Sequence, residues 1–280
     1  MKSRFFQTTL FVVPASVFML LVFAGPLLGV AVQSVSNPET GAWSLAGFRE
    51  IFTSSLFYRI TSSTLAISLW STFISLLLAY PLAYYLSGLP PRRRAMLLIL
   101  VLIPFWTSIL VKSFAFTILL GSSGILNSAL AAVGLPPLQM LFNRVGVIVG
   151  MSHFLIPFMV FPILASLTTR PAELASAARI MGAGDLRIFW QIVLPLSLPG
   201  VLAGTLMVFI LSLGFFVVPV LLGGRQDMML ANLVDFYIRE TLNTQMASVV
   251  SLFLMVFAVM AAIGLSRVPG GSNLLGGAEK

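Results

Sequence analysis

The chain has no cysteine, which excludes disulfides, thiolate metal sites and cysteine nucleophiles. Charge is scarce: Asp, Glu, Lys and Arg make up 9% of 280 residues, against about 25% in a soluble domain. Histidine occurs once, at His153, so no His/acid cluster is available for general acid–base or metal chemistry. The phosphate-cradling pattern G-x-x-x-x-G-K-[ST] is absent, so no nucleotide site of that kind lies here. What remains is apolar. Hydrophobic residues reach 59% and mean hydropathy is +1.05, the composition of an integral membrane protein.

Six stretches are long enough, or nearly so, to cross a bilayer as helices: Thr8–Val32, Thr61–Leu86, Ala95–Leu120, Val145–Leu167, Leu198–Leu222 and Met246–Leu265. The runs are continuous rather than alternating, which argues against barrel strands. An all-α polytopic protein follows, with one six-helix domain over residues 1–280. The net charge of +8 sorts by membrane side rather than onto one face, so it is not a nucleic-acid footprint. With a cytoplasmic N-terminus, ten basic and three acidic residues fall inside and six basic and five acidic outside. The positive-inside rule selects that orientation, with both termini cytoplasmic. The N-terminal apolar run exceeds an h-region and no clear A-x-A site follows, so a retained first span is expected rather than a cleaved leader.

External loops are expected at 33–58, 121–143 and 223–245. Trp43 and Tyr58 suit either the headgroup level or an ordinary loop. Arg92-Arg93-Arg94 reads as a topological anchor, with a lipid or nucleotide site as the alternative. In span three Pro104-Phe105-Trp106-Thr107 forms a kinked aromatic segment able to face a cavity, and Lys112 lies close enough to the interface to snorkel. Ser123 suits an N-cap for a short helix, Ile125–Val133, that stops at Gly134. His153 reads as a structural histidine bonded to a carbonyl or hydroxyl, or else as a proton relay. Leu230, Leu233, Val234, Tyr237 and Ile238 repeat at helical spacing. Asn232, Asp235 and Arg239 share the other face, either packing passively or meeting an external partner. Small-residue pairs at Gly25/Gly29, Ala79/Ala83, Gly146/Gly150 and Gly200/Gly204 allow close helix approach. The tail Ser266–Lys280 is expected to be disordered.

The most informative stretch runs from Pro171 to Gly200. Pro171 suits a first helical position, and Glu173 complements the helix dipole. Ala172, Ala175, Ala177 and Ala178 give a thin surface suited to insertion into a partner groove. Gly182 suits a left-handed cap. Asp185 reads as the N-cap of a second helix, whose Ile188, Phe189, Ile192 and Val193 form an apolar stripe. Pro195 and Pro199 mark a bend into span five. Such a pair of helices is either a lever that passes motion to spans four and five or an ordinary surface loop.

Ala177-Ala178-Arg179-Ile180-Met181-Gly182-Ala183, followed by Ile192-Val193-Leu194-Pro195 and Pro199-Gly200, resembles the signature loop of binding-protein-dependent ABC importer permeases. That pattern is Glu-Ala-Ala, a short spacer, Gly-Ala, then hydrophobic-Leu-Pro. Its glutamate position is Ser176 here, and the nearest acid is Glu173, one turn earlier. Pro104-Phe105-Trp106-Thr107, Pro157-Phe158-Met159-Val160 with Pro162, and the tract Gly214–Gly224 are similar to the spermidine/putrescine permease group, most closely its first-permease (B-subunit) type.

The resemblance implies a type I importer permease fold in a bacterial inner membrane. It implies a paralogous second permease, two cytoplasmic ATPases that hold ATP and Mg, and an external or periplasmic binding protein. No cofactor, metal or catalytic residue is implied in this chain. Residues 169–197 become the ATPase-coupling loop, with Glu173, Ala175, Ser176, Ala177, Ala178, Arg179, Gly182, Ala183 and Asp185 at the contact. Tyr80, Tyr84, Trp106, Thr107 and Phe215 are the expected pathway residues, and Asn232, Asp235 and Arg239 the expected binding-protein contact. The expected solute is a polyamine or related small amine. The alternatives are an opine, an amino-acid-like compound or a phosphonate, for which the lone Lys112 would suit an anion. An ion-coupled secondary transporter fits less well, because no acid sits in a span.

Overall fold

In a bilayer each backbone N–H and C=O must find its partner inside the protein, which dictates helices. The computed structural model describes residues 2–37, 41–169 and 172–266, and six of its helical segments are long and apolar enough to cross a membrane. In order the helices are α1 (Lys2–Ser34), α2 (Ala46–Thr53), α3 (Ser55–Ser87), α4 (Pro91–Trp106), α5 (Ile109–Leu120), α6 (Ile125–Ala132) and α7 (Arg144–Thr169). They continue as α8 (Ala172–Ile180), α9 (Asp185–Ile188), a π-helical turn (Phe189–Val193), α10 (Leu194–Leu213), α11 (Val217–Leu222), α12 (Leu230–Arg239) and α13 (Thr244–Ser266). Glu39, Arg170, Pro171 and the tail from Arg267 lie outside the described residues.

Two compact units result. The first runs to Tyr58 and adds Leu233–Met255. Within it Gly47 of α2 lies against α13: a Cβ there would stand 3.2 Å from the Gln245 side chain and 3.4 Å from Val249. Gln245 Nε2 donates to the Ser44 carbonyl at 3.2 Å. Phe57 meets Phe253 edge-on, with centroids 5.0 Å apart. From Val13 to Phe23 the side chains of α1 are mostly exposed, as suits a surface whose solvent is hydrocarbon.

The second unit comprises Arg59–Asn232 and the chain from Val256. Its core is α7, whose Val147, Met151, Leu155, Met159, Val160 and Ile163 are fully buried. Glycine sets how close α10 and α11 come. A Cβ on Gly200 would lie 2.5 Å from the Pro162 carbonyl oxygen, and one on Gly204 2.9 Å from Met159 Sδ. A Cβ on Gly150 would lie 2.6 Å from Leu222 Cδ1. On α3, Ala79 and Ala83 are fully buried. Gly25 and Gly29 have nothing within 4 Å of a Cβ among the described residues. So three of the four small-residue pairs seat a neighbour. Spacing alone does not say which face has one.

Hydroxyls cross-link α3 to α7: Ser75 Oγ donates to the Ser152 carbonyl and Ser152 Oγ to the Ser71 carbonyl, each at 3.3 Å. At one end of this unit Arg144 Nε pairs with the buried Asp227 at 3.2 Å, and Asp227 Oδ2 accepts the Gly224 N–H at 3.2 Å.

Several expectations are corrected. Span three is not one helix. It breaks at Thr107–Ser108, both extended (ψ 145° and 137°). At 12 residues α5 rises only ~18 Å, too short to cross alone; the membrane-length segment here runs from Ile109 to Ala132. The short helix α6 forms where expected and stops at Gly134 (φ +77°), but Gly124 rather than Ser123 is its N-cap. Asp185 is likewise not a cap; Gly184 occupies that position. Nor is there a break at Pro195: Asp185 to Leu213 forms one continuous helical segment through the π turn. In an α-helix Pro195 would press on the Gln191 carbonyl. The wider turn, closed by Leu194 N–H to the Phe189 carbonyl, relieves that contact and lets the helix run on.

Gly200→Val should destabilise the folded protein by about 1–3 kcal/mol, the usual range for overpacking. It should lower the thermal midpoint of the purified protein, and a wild-type midpoint would contradict the close approach of α10 to α7. Asp227→Ala, which takes the carboxylate from Arg144 and from the Gly224 N–H, should lower it as well.

Candidate functional site

The segment between α7 and α10 is ordered by its own backbone. Gly182 takes φ +86°, a conformation that costs other residues roughly 1–2 kcal/mol. That turn lets Gly182 N–H reach the Arg179 carbonyl and Ala183 N–H the Ala178 carbonyl, each at 3.0 Å. This pair of bonds is the Schellman closure of α8. Arg179 also pairs with Asp185 across the turn at 3.0 Å; both side chains are exposed, so the bond adds little to stability.

The alanines expected to form one outward surface divide: Ala177 is exposed, Ala175 half-buried and Ala178 buried. Ala178 is buried against the core, and Ala175 and Ala183 pack beside it. The exposed side of α8 and its turn presents Glu173, Leu174, Ser176, Ala177, Arg179, Ile180 and Met181. Ile180 is 88% exposed and Met181 81%. The small residues let α8 lie close on its own helices, and the larger apolar ones project. Periodicity marks such a stripe without saying whether it faces home or away.

Behind α8, Phe189 of the π turn meets Tyr80 and Tyr84 edge-on, with centroids 5.9 and 5.8 Å away. Tyr80 Oη shares a 2.9 Å hydrogen bond with Ser197 Oγ. Both tyrosines, expected along a solute path, are thus part of the joint between α3 and the root of α10.

A cavity of about 340 Å³ lies elsewhere in this unit, at the break in span three. Pro104, Phe105, Thr107, Lys112, His153, Phe154, Phe158 and Phe215 are among its lining residues. Of the expected pathway residues it gathers Thr107 and Phe215. Trp106 does not line it and is 85% exposed. Thr107 Oγ1 donates to the Pro104 carbonyl at 2.7 Å, and Lys112 Nζ donates to the same oxygen. Lys112 Nζ also lies 4.0 Å from the centroid of Phe154. His153 stacks edge-on with Phe116 at 5.2 Å. Its Nδ1 is buried with no hydrogen-bond partner among the described residues. Lys112, His153 and Phe154 were not grouped by the sequence as a site. The available signal was a charge and an imidazole inside apolar runs.

On α12, Asn232 is only 7% exposed. Its Oδ1 accepts Met229 N–H at 3.1 Å and its Nδ2 donates to the Phe216 carbonyl at 3.0 Å. It therefore fastens the chain internally and leaves the proposed external contact. Asp235 and Arg239 do face outward, paired at 2.6 Å. Near them burial raises the pKa of the Tyr237 phenol, and the Glu50 carboxylate adds to the rise.

Residues 72–268 match the family model of the binding-protein-dependent transport system inner membrane component. The spermidine/putrescine transport system permease protein PotB of Haemophilus influenzae is 34% identical over 207 residues, 73% of this chain and 72% of the relative. Its counterpart in Salmonella typhimurium is 30% identical over 235 residues, 82% of each chain. The molybdenum transport system permease protein ModB of Mycobacterium bovis is 27% identical over 205 residues, 72% of this chain and 76% of the relative. A permease chain in the crystal structure of a bacterial alginate ABC transporter, complexed with its alginate pentasaccharide-bound periplasmic protein, superposes with a TM-score of 0.76. That match covers 95% of both chains at 19% identity, a likeness of fold.

Gly182→Val forces a β-branched residue into the left-handed turn. It should leave membrane insertion intact, speed amide hydrogen exchange in α8 at least fivefold, which corresponds to about 1 kcal/mol of lost local stability, and reduce solute uptake. Unchanged exchange and uptake at equal expression would show that the cap is dispensable.

Proposed function

The chain belongs to the binding-protein-dependent transport system inner membrane components, and on that premise we propose that it couples ATP hydrolysis on a neighbouring chain to movement of a small amine. It is a membrane-spanning ABC importer permease. In this reading residues 172–193 lie on the cytoplasmic side, with both termini, as the excess of basic residues there favours. The projecting side chains of α8 meet an ATPase. A paralogous permease supplies the other half of the pathway, and a binding protein delivers the solute on the opposite side.

The observation that carries the reading is mechanical. The helix from Asp185 continues without interruption to Leu213, the Gly182 closure ends α8 on its own carbonyls, and Arg179 of α8 pairs with Asp185 at the start of that helix. A displacement of α8 therefore passes along a rod rather than into a flexible loop. The rod lies on α7 at Gly200 and Gly204 and on α3 through Tyr80 and Ser197. Closure of an ATPase pair would move these contacts together and switch the cavity between its two accessible sides. This chain's own residues supply binding surface and leverage; the chemistry of hydrolysis belongs to the partner.

The solute assignment, a polyamine such as spermidine or putrescine, rests on what the relatives PotB are named for. The test is to purify the complex through this chain and identify, by mass spectrometry, both the co-purifying ATPase and the solute held by the binding protein. A diamine or triamine, with ATP hydrolysis stimulated by the loaded binding protein, is the expected result. An opine, amino acid or phosphonate would replace the amine assignment, and uptake independent of any ATPase would overturn the importer reading.

A further inference from the structure

The cavity at the break in span three already holds a cation, and that cation is the chain's own. The Lys112 ammonium donates to the Pro104 carbonyl and lies over the Phe154 ring. Phe105, Phe158 and Phe215 line the same space, and no carboxylate does. A carbonyl oxygen and an aromatic face both attract a cation without neutralising it. Together they form a seat for a primary alkylammonium, the group Lys112 places there.

The position of that seat matters. Lys112 and His153 line this cavity and also a second one of about 460 Å³, bounded by Ala115, Phe116, Leu119 and Ile125. The two residues stand between the spaces. Pro104 carries its carbonyl to the seat because the helix breaks three residues later, so Ser108 does not take its usual helical bond.

We propose that this carbonyl-and-phenyl seat is an ammonium station on the solute path, and that Lys112 fills it when no solute is present, closing the way between the two cavities. The proposal rests on the small-amine reading above. An arriving primary ammonium exchanges like for like: Lys112 gives up one carbonyl bond and one ring contact, and the newcomer makes the same two. The apolar stem of a lysine is long enough to carry its charge along the protein surface to a wetter place. A solute without an ammonium group gains nothing by displacing it. An anion would instead bind to Lys112 where it sits.

The experiment is equilibrium binding of radiolabelled putrescine to the full permease–ATPase complex in nanodiscs, with the binding protein left out. Lys112→Met keeps the length and removes the competing charge. It should bind putrescine about tenfold more tightly than wild type, equivalent to about 1.4 kcal/mol. Adding Phe154→Leu should undo most of that gain. Where Lys112→Met does not assemble, Lys112→Gln is measured with the same two outcomes. Putrescine binding that is unchanged or weaker in the neutral variants overturns the proposal. So does succinate binding that wild type and Lys112→Arg show and Lys112→Met loses, because it assigns the seat to an anion. Stimulation of ATP hydrolysis by the loaded binding protein reports separately on the importer reading. A complex that keeps it without tighter putrescine binding refutes the seat alone.

Discussion

A carbonyl that loses its helical donor inside a membrane has no water to turn to. Near several prolines of this chain the helices stop, widen or meet closely, and each place is accommodated locally. At Pro104 the helix stops, and the oxygen is taken up by the Thr107 hydroxyl and the Lys112 ammonium. At Pro195 the helix widens by a π turn and continues. Pro162 lies where its carbonyl meets Gly200 of the neighbouring helix, close enough that no side chain fits between. Each answer opens something functional: a cavity, an unbroken rod, or a close helix contact.

The segment between α7 and α10 is ordered by different means. A surface loop between two spans is free to be irregular, because water satisfies it. Here α8 closes on a left-handed glycine, lays Ala178 on the core and leads into a rod that continues through α10. Leu174, Ile180 and Met181 project from the exposed side of this hydrogen-bonded unit. The hydrogen bonds and glycine contacts hold the segment together.

Specificity has a different physical origin. The cavity at the break in span three has no acid among its lining residues, so an amine entering it would be attracted only by ring faces and a carbonyl dipole. Such a site is weak by itself, which suits a pathway that must release what it receives. The relatives carry names that range from spermidine and putrescine to molybdenum, so the cargo named differs among relatives of this sequence. Single side chains within the cavity are therefore the place to look for it.

The amino-acid order by itself determined the class: apolar runs of membrane length, basic residues sorted to one side, and the Gly182-Ala183 turn before a Leu-Pro at Leu194-Pro195. These are local or compositional properties, legible without knowing any neighbour. It also located α6, α12 and the glycine cap, because turn chemistry and periodicity act over a few residues. Only the tertiary structure decided which faces have neighbours. It turned Ala178 inward, buried Asn232 against Met229 and Phe216, left Gly25 and Gly29 without a partner among the described residues, and drew Tyr80 into the joint with Ser197. It brought Lys112 of α5 to Pro104 of α4 and Phe154 of α7. Burial and long-range pairing arise between segments far apart in the chain, and a one-dimensional pattern carries the tendency to pack but not the partner.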